Sequence, residues 1–256
     1  MYRVDLNSDL GESFGNWTIE ANDQVLRYVS SANVACGLHG GDPVVMRHTV
    51  ELAKKYGVGV GVHPSYPDLQ GFGRRKMIMK RDELKDFITY QIGALYAFAK
   101  KEGLPLRHIS AHGALGNVAQ VDQMTAEALC EATAEFDPSI RVLYYGGNSA
   151  LKAAAEKYGL PTVSLAFADR GYEEDGNLVP RGTPGAMIED QNEAVARVIR
   201  MIKEGVVTAI TGEEVPLQAD SICVHGDNPS AVEFVKNIRA KLIEEGVTIA
   251  PLSEIV

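Results

Sequence analysis

Short apolar runs rich in β-branched residues recur along the chain, at Val4 to Leu6, Ala32 to Cys36, Val58 to Val62, His108 to Ala111, Val142 to Tyr145, Thr162 to Ala166 and Ile222 to Val224. Each has the length of a buried strand, and amphipathic stretches lie between them, with apolar residues returning every three or four positions as in a helix lying on a sheet. The clearest helix is Asp82 to Glu102, where Leu84, Phe87, Ile88, Ile92, Leu95, Tyr96 and Ala99 form one stripe and Asp82 is the expected N-cap. Val44 to Tyr56, Met124 to Glu135, Ala150 to Tyr158, Asn192 to Glu204 and Ala231 to Glu245 repeat the pattern. Val206 to Leu217 departs from it and reads as a hairpin about Gly212.

About seven strands alternating with helices predict an α/β fold with a parallel sheet buried on both faces. Polar residues follow the strands near both chain ends in the same manner as the middle ones. An open sheet has edge strands that usually lack such groups, so a closed βα barrel is expected. No Pro/Gly/Ser-rich linker or shift in composition interrupts residues 1–256, which are expected to form one domain.

Hydrophobic residues make up 45% of the chain and charged residues 23%, enough apolar material for a large core. Lys+Arg number 25 against Asp+Glu 34, a net charge of -9 that argues against binding nucleic acid. Cys36, Cys130 and Cys223 are an odd set, unlike a disulfide framework, and a reducing compartment fits them. The first residues carry charges where a signal peptide needs apolar ones, and no run is long enough to span a bilayer. A cytoplasmic location without membrane contact is therefore expected.

In a βα barrel the chemistry lies at the carboxyl ends of the strands. The first strand is followed by Asn7, Asp9 and Glu12, the second by His39-Gly-Gly-Asp42-Pro43, and the third by His63-Pro-Ser-Tyr-Pro-Asp68. His112 follows the fourth, Asp169-Arg170 the sixth and His225-Gly-Asp227-Asn228-Pro229 the last. Four of the six histidines thus fall at strand ends, beside carboxylates that could exchange protons with them near neutral pH. Asp9, Glu12, His39, His63, His112, Asp169, His225 and Asp227 are the candidate catalytic residues; Asn7, Arg170 and Arg181 are the candidate substrate contacts, the two arginines suiting a carboxylate. His48, on a helix beside Arg47, reads as surface, and His108 needs no function.

Several residues have structural readings. Asp42 is expected to cap a helix opened by Pro43, while Gly40 would let backbone approach a ligand and the helix start would favour an anion. Either Asp5 or Asp9 could be a buried, hydrogen-bonded structural carboxylate. Gly71-Phe-Gly-Arg-Arg75 reads as a mobile basic loop, and Cys36 and Cys223 as small core residues rather than nucleophiles. The chain has no P-loop, no Gly-x-Ser-x-Gly elbow and no His-Glu-x-x-His pair. A metal site assembled from separate strands, such as Asp9 with His63 and His112, is unsupported by spacing, and no metal ligands are assigned.

The blocks Asp5-Leu-Asn-Ser-Asp-Leu-Gly-Glu12, Ser31 to Asp42, Gly61-Val-His-Pro-Ser-Tyr-Pro-Asp68, Phe167-Ala-Asp-Arg-Gly-Tyr172 and Cys223-Val-His-Gly-Asp227 together resemble the LamB/YcsF family over nearly the whole chain. The resemblance implies a βα barrel of the glycoside hydrolase/deacetylase type. It also implies the ATP-dependent opening of the lactam 5-oxoproline to glutamate, by an A subunit working with separate B and C subunits. Where the family usually has Lys-Pro before the fourth-strand histidine, a Tyr before Asn117 and a Glu two residues before Phe167, this chain has Ser110-Ala111, Gly116 and Leu165. The competing readings are a metal-dependent amide or sugar deacetylase on the same barrel and a non-catalytic lactam-binding subunit.

Overall fold

The computed structural model describes residues 2–19, 22–224 and 231–255. The chain opens with β1 (Tyr2–Leu10), the short helix α1 (Asn22–Val25), β2 (Ser31–Ala35), α2 (Pro43–Tyr56) and β3 (Gly59–His63). There follow α3 (Arg81–Glu102), β4 (Leu106–Ile109), α4 (Gly113–Val121), α5 (Gln123–Phe136), β5 (Arg141–Tyr144), α6 (Ala150–Lys157) and β6 (Thr162–Phe167). The rest comprises α7 (Gln191–Lys203), the antiparallel hairpin of β7 (Val206–Thr208) and β8 (Glu214–Pro216), then β9 (Ser221–Cys223), α8 (Ala231–Glu244) and β10 (Val247–Ile249).

Seven parallel strands, β1 to β6 and β9, close into a barrel, because β1 pairs with β2 on one side and with β9 on the other. The first residues of β1 also pair with β10. Outward-facing Leu6, Val34, Val62, Ile109 and Ile222 join the helices in the main core. Burying each such side chain contributes about 1.5–3 kcal/mol.

The inward faces split into two halves. On β1 to β4 they carry Asp5, Asn7, Ser31, Asn33, His63 and His108, all buried. On β5, β6 and β9 they carry Leu143, Val163, Leu165, Phe167 and Cys223, a separate apolar cluster, with Ser221 of β9 reaching into the polar half.

The helices lie within one or two residues of their predicted bounds. The carboxylate of Asp42 caps α2 by accepting from the amides of Val44 and Val45, and Gly57 ends the helix in the left-handed region at φ 69°. Asp82 is not an N-cap: α3 starts earlier, with Lys80 at the cap position and Asp82 in the first turn, where its charge meets the helix dipole favourably. Helix α4, with its two glycines, is absent from the helices that the sequence pattern predicts. Among the described residues no helix is long and apolar enough to cross a membrane.

Candidate active site

The polar half of the barrel is a ladder of buried hydrogen bonds beneath the mouth. Asp5 accepts from the hydroxyls of Ser30 and Ser31, each at 2.7 Å, and from that of Ser221. Asn7 donates to Ser221 Oγ at 2.6 Å and accepts from Asn33 Nδ2 at 2.8 Å. The same Asn33 amide donates to Asp9 Oδ1 at 2.8 Å, and its Oδ1 accepts from His108 Nε2 at 2.7 Å. Burial pushes the pKa of His108 down to about 3, so the ring is neutral with its proton on Nε2. Burial raises the pKa of Asp5 by more than its hydrogen bonds lower it. Asp5 is therefore the structural carboxylate, and Asn7 spends its amide inside the barrel instead of reaching substrate.

At the top of this ladder five predicted residues meet. His39 Nε2 lies 3.0 Å from Glu12 Oε1, His63 Nε2 lies 3.0 Å from His112 Nδ1, and Asp9 Oδ1 lies 3.4 Å from His63 Nε2. His112 Nδ1 is also 3.4 Å from Glu12 Oε1, and the rings of His39 and His112 stack with centroids 3.8 Å apart. Burial works against a charge on His63, but the nearby carboxylates of Asp9 and Glu12 outweigh it and hold its pKa above the ordinary value. His39 and His112 are held well below theirs, chiefly by burial and then by a neighbouring imidazole. A single positive charge at this cluster therefore belongs to His63. Glu12, His39, His63 and His112 each offer one atom that could hold a metal ion, these atoms lying within 4.8 Å of one another.

The loop after β3 covers the cluster. Phe72 packs edge-on against His39 and His112, and its carbonyl accepts from His112 Nε2 at 2.8 Å. Phe72 has φ 54°, uncommon for a non-glycine residue, and an added Cβ at Gly73 would stand 2.8 Å from the His112 ring and 2.9 Å from His39 Cβ. Asp68 ties the loop down, accepting from the amides of Gly71 and Arg75 and pairing with the Arg75 guanidinium. The basic stretch is thus a packed cover. Gly40 serves packing as well, since a Cβ there would collide with the Glu12 backbone, and the α2 N-terminus is taken by Asp42.

A cavity of about 500 Å³ opens beside the cluster, of the size that holds small-molecule ligands. Asp9, Glu12 and His112 form part of its wall, as do Arg170 and Arg181, while Leu143, Leu165, Phe167 and Cys223 give it an apolar side. Ser110, Ala111, Gly116 and Leu165, the four departures from the family pattern, all line it. Arg170 is 7% exposed and donates to the carbonyls of Ala186 and Val179, so it braces the loop after β6 as well as facing the cavity. Burial lowers its pKa first and the charge of Arg181 second, placing the two guanidiniums within each other's field. Asp169 is buried at the end of β6. His225 and Asp227 lie outside the described residues. Burial pushes the Cys36 thiol up to about 12 and that of Cys223 well above its ordinary value, in keeping with core residues. His48 is exposed, and Asn33 and His108 are the site-supporting residues that sequence reasoning missed.

The LamB/YcsF family model matches residues 4–256. A relative from Campylobacter jejuni subsp. jejuni serotype O:2, named as the A subunit of 5-oxoprolinase, is 53% identical over 257 residues, covering 100% of both chains. One of the same name from Pyrococcus horikoshii is 54% identical over 254 residues, covering 99% of each. The crystal structure of a lactam utilization protein from Thermus thermophilus superposes with a TM-score of 0.92 at 44% identity, covering 97% of this chain and 99% of that one. A T48 deacetylase, 12% identical with a TM-score of 0.50 over 99% of this chain and 90% of that one, shares the fold.

Proposed function

Because this chain belongs to the LamB/YcsF family, we propose that it is the A subunit of an ATP-dependent 5-oxoprolinase, opening the five-membered lactam of 5-oxo-L-proline to L-glutamate together with B and C subunits. The observation that carries this reading is that one cavity is lined both by Asp9, Glu12 and His112, suited to proton transfer, and by two arginines suited to a carboxylate. Relatives that cover the whole chain and are named as A subunits of 5-oxoprolinase support it.

An unstrained lactam is a poor electrophile, and its hydrolysis gains from ATP because phosphorylating the amide oxygen activates the ring carbon: water adds there, the C–N bond breaks to leave a glutamyl phosphate, and a second water releases phosphate and glutamate. The chain has no P-loop, so activation is assigned to the partner subunits and water delivery to this barrel. Arg181 and Arg170 hold the substrate carboxylate, and Asp9, set against His63 at the cavity wall, takes the proton of the attacking water and returns it to the departing nitrogen. The three free, buried cysteines accord with action in the cytoplasm.

The test is glutamate release from 5-oxoproline and ATP by the purified chain, with and without the two partner subunits. Release is expected only with the partners. An assembled three-subunit complex that releases none would overturn the reading, and rapid release by the isolated chain would overturn the division of labour.

A further inference from the structure

The hydrogen bonds around the histidine cluster fix where its protons are. His63 Nδ1 stands 2.6 Å from the carbonyl of Ser110, and His112 Nε2 stands 2.8 Å from the carbonyl of Phe72. A carbonyl only accepts, so each of these nitrogens carries a hydrogen. The other nitrogen of each neutral ring then presents a lone pair, and those two lone pairs point at one another across 3.0 Å. Glu12 Oε1 adds acceptor density 3.4 Å from His112 Nδ1 and 3.9 Å from His63 Nε2, with Asp9 Oδ1 3.4 Å from the latter. Asn33 donates to Asp9 Oδ1 and His39 Nε2 stands 3.0 Å from Glu12 Oε1, but the two facing imidazole lone pairs repel one another in this buried place unless a proton or a metal cation sits between them. One proton on His63 leaves two carboxylates against one charge, whereas a divalent ion with neutral imidazoles balances both.

Two of the three histidines also have the outer bonding of a metal centre, while the buried Nδ1 of His39 has no hydrogen-bond partner among the described residues. Metal-binding histidines characteristically donate their second ring N–H to a backbone carbonyl or carboxylate, which fixes the tautomer and aims the free lone pair. His63 and His112 both do so. Ligand atoms around a tetrahedral zinc at about 2.0–2.2 Å from the metal lie roughly 3.4 Å apart. Here the pairs His63–His112, His39–Glu12 and His112–Glu12 are separated by 3.0, 3.0 and 3.4 Å.

We propose that Glu12, His39, His63 and His112 bind one first-row divalent cation of the zinc type, with Asp9 beside it. Three imidazoles and one carboxylate suit zinc and its neighbours over magnesium or calcium, which prefer all-oxygen sites. Such an ion supplies Lewis acidity at the cavity wall. His63 and His112 then serve as ligands, and Asp9 is the carboxylate left to take a proton. The inference is independent of the lactam reading, since it concerns only what these side chains bind.

The test uses the full chain, stripped with a chelator and dialysed, then titrated with zinc and separately with cobalt(II). Bound metal per chain, the visible absorption of cobalt and the thermal midpoint are the readouts. One ion per chain, with a raised midpoint, is expected. His63→Ala and the near-isosteric Glu12→Gln should each weaken binding by about 100-fold, and His48→Ala should not change it. Glu12→Gln decides the matter if His63→Ala fails to fold. A folded, stripped chain that takes up neither metal, or binding that persists unweakened in Glu12→Gln, overturns the proposal.

Discussion

Replacing Gly61 with alanine tests whether the polar ladder holds the site in place. Gly61 lies on the inner face of β3, paired in register with His108 of β4, and an added Cβ would stand 2.0 Å from the Nε2 of His108. His108 is fully buried and its Nε2 donates to Asn33, which in turn holds Asp9. In an unstrained strand, alanine gains about 0.4–1 kcal/mol over glycine through the unfolded chain. Against that, overpacking costs about 1–3 kcal/mol, and leaving the buried Asn33 oxygen without its donor costs about 1–3 kcal/mol more. The steric and polar losses win, with a net destabilisation of about 2–4 kcal/mol. For a chain of this size that lowers the thermal midpoint by on the order of 10 °C. Calorimetry or a circular-dichroism melt measures it. Adding His108→Ala makes room for the new methyl, so the double variant should be at least about 1 kcal/mol more stable than the summed single effects. A midpoint for Gly61→Ala within about 1 °C of the parent, or strict additivity in the cycle, would falsify the claim that these two residues share one space.

Other outcomes follow from the same geometry. Asp42→Ala, which removes the cap of α2 and a 2.7 Å bond to the Gly15 amide, should cost about 1–2 kcal/mol in a denaturant titration. Asp9→Asn should lower turnover of the assembled enzyme by about 100-fold or more while leaving its melt nearly unchanged; equal losses in both would make Asp9 structural. Arg181→Ala should raise KM for a carboxylate-bearing lactam by about tenfold with little change in kcat, measured by steady-state glutamate release. Ser110→Lys and Leu165→Glu each place an ion in a largely buried wall of the cavity, so each alone should destabilise. The double variant should recover about 1–3 kcal/mol of their summed cost, and zero coupling would mean that the two sites do not meet.

Local pattern revealed much of this barrel because buried strands leave short apolar runs, and most of these are followed by polar turns. Gly113–Val121 escaped detection because its glycines and small side chains mask the three- to four-residue spacing of Leu115, Val118 and Ala119. Strand-end position sufficed to single out Asp9, Glu12, His39, His63 and His112. What they contact did not follow from it, since His63 meets His112 across 49 positions and its tautomer depends on a backbone carbonyl. The part played by His108 was hidden for a related reason. Its neighbours Leu106 and Ile109 advertise a strand, but only closure of the ring shows that the inner face of β1 to β4 is polar and that a histidine there has Asn33 to bond. Asn7 reads as a substrate contact because it follows the first apolar run, yet one of its partners, Ser221, is 214 residues away.

That last separation bears on how the molecule is made. Ser221 supplies hydrogen bonds to Asp5 and Asn7 across the seam where β9 meets β1, and it leaves the ribosome only after most of the chain has emerged. Until then β1 has an open edge on that side, and Asp5 has the hydroxyls of Ser30 and Ser31 but not the third donor that helps make its burial tolerable. The first strand therefore cannot be sealed until the last turn of the barrel arrives. A nascent chain halted before Ser221 should present that edge to chaperones and proteases, and the finished chain should lose its protease sensitivity in one late step.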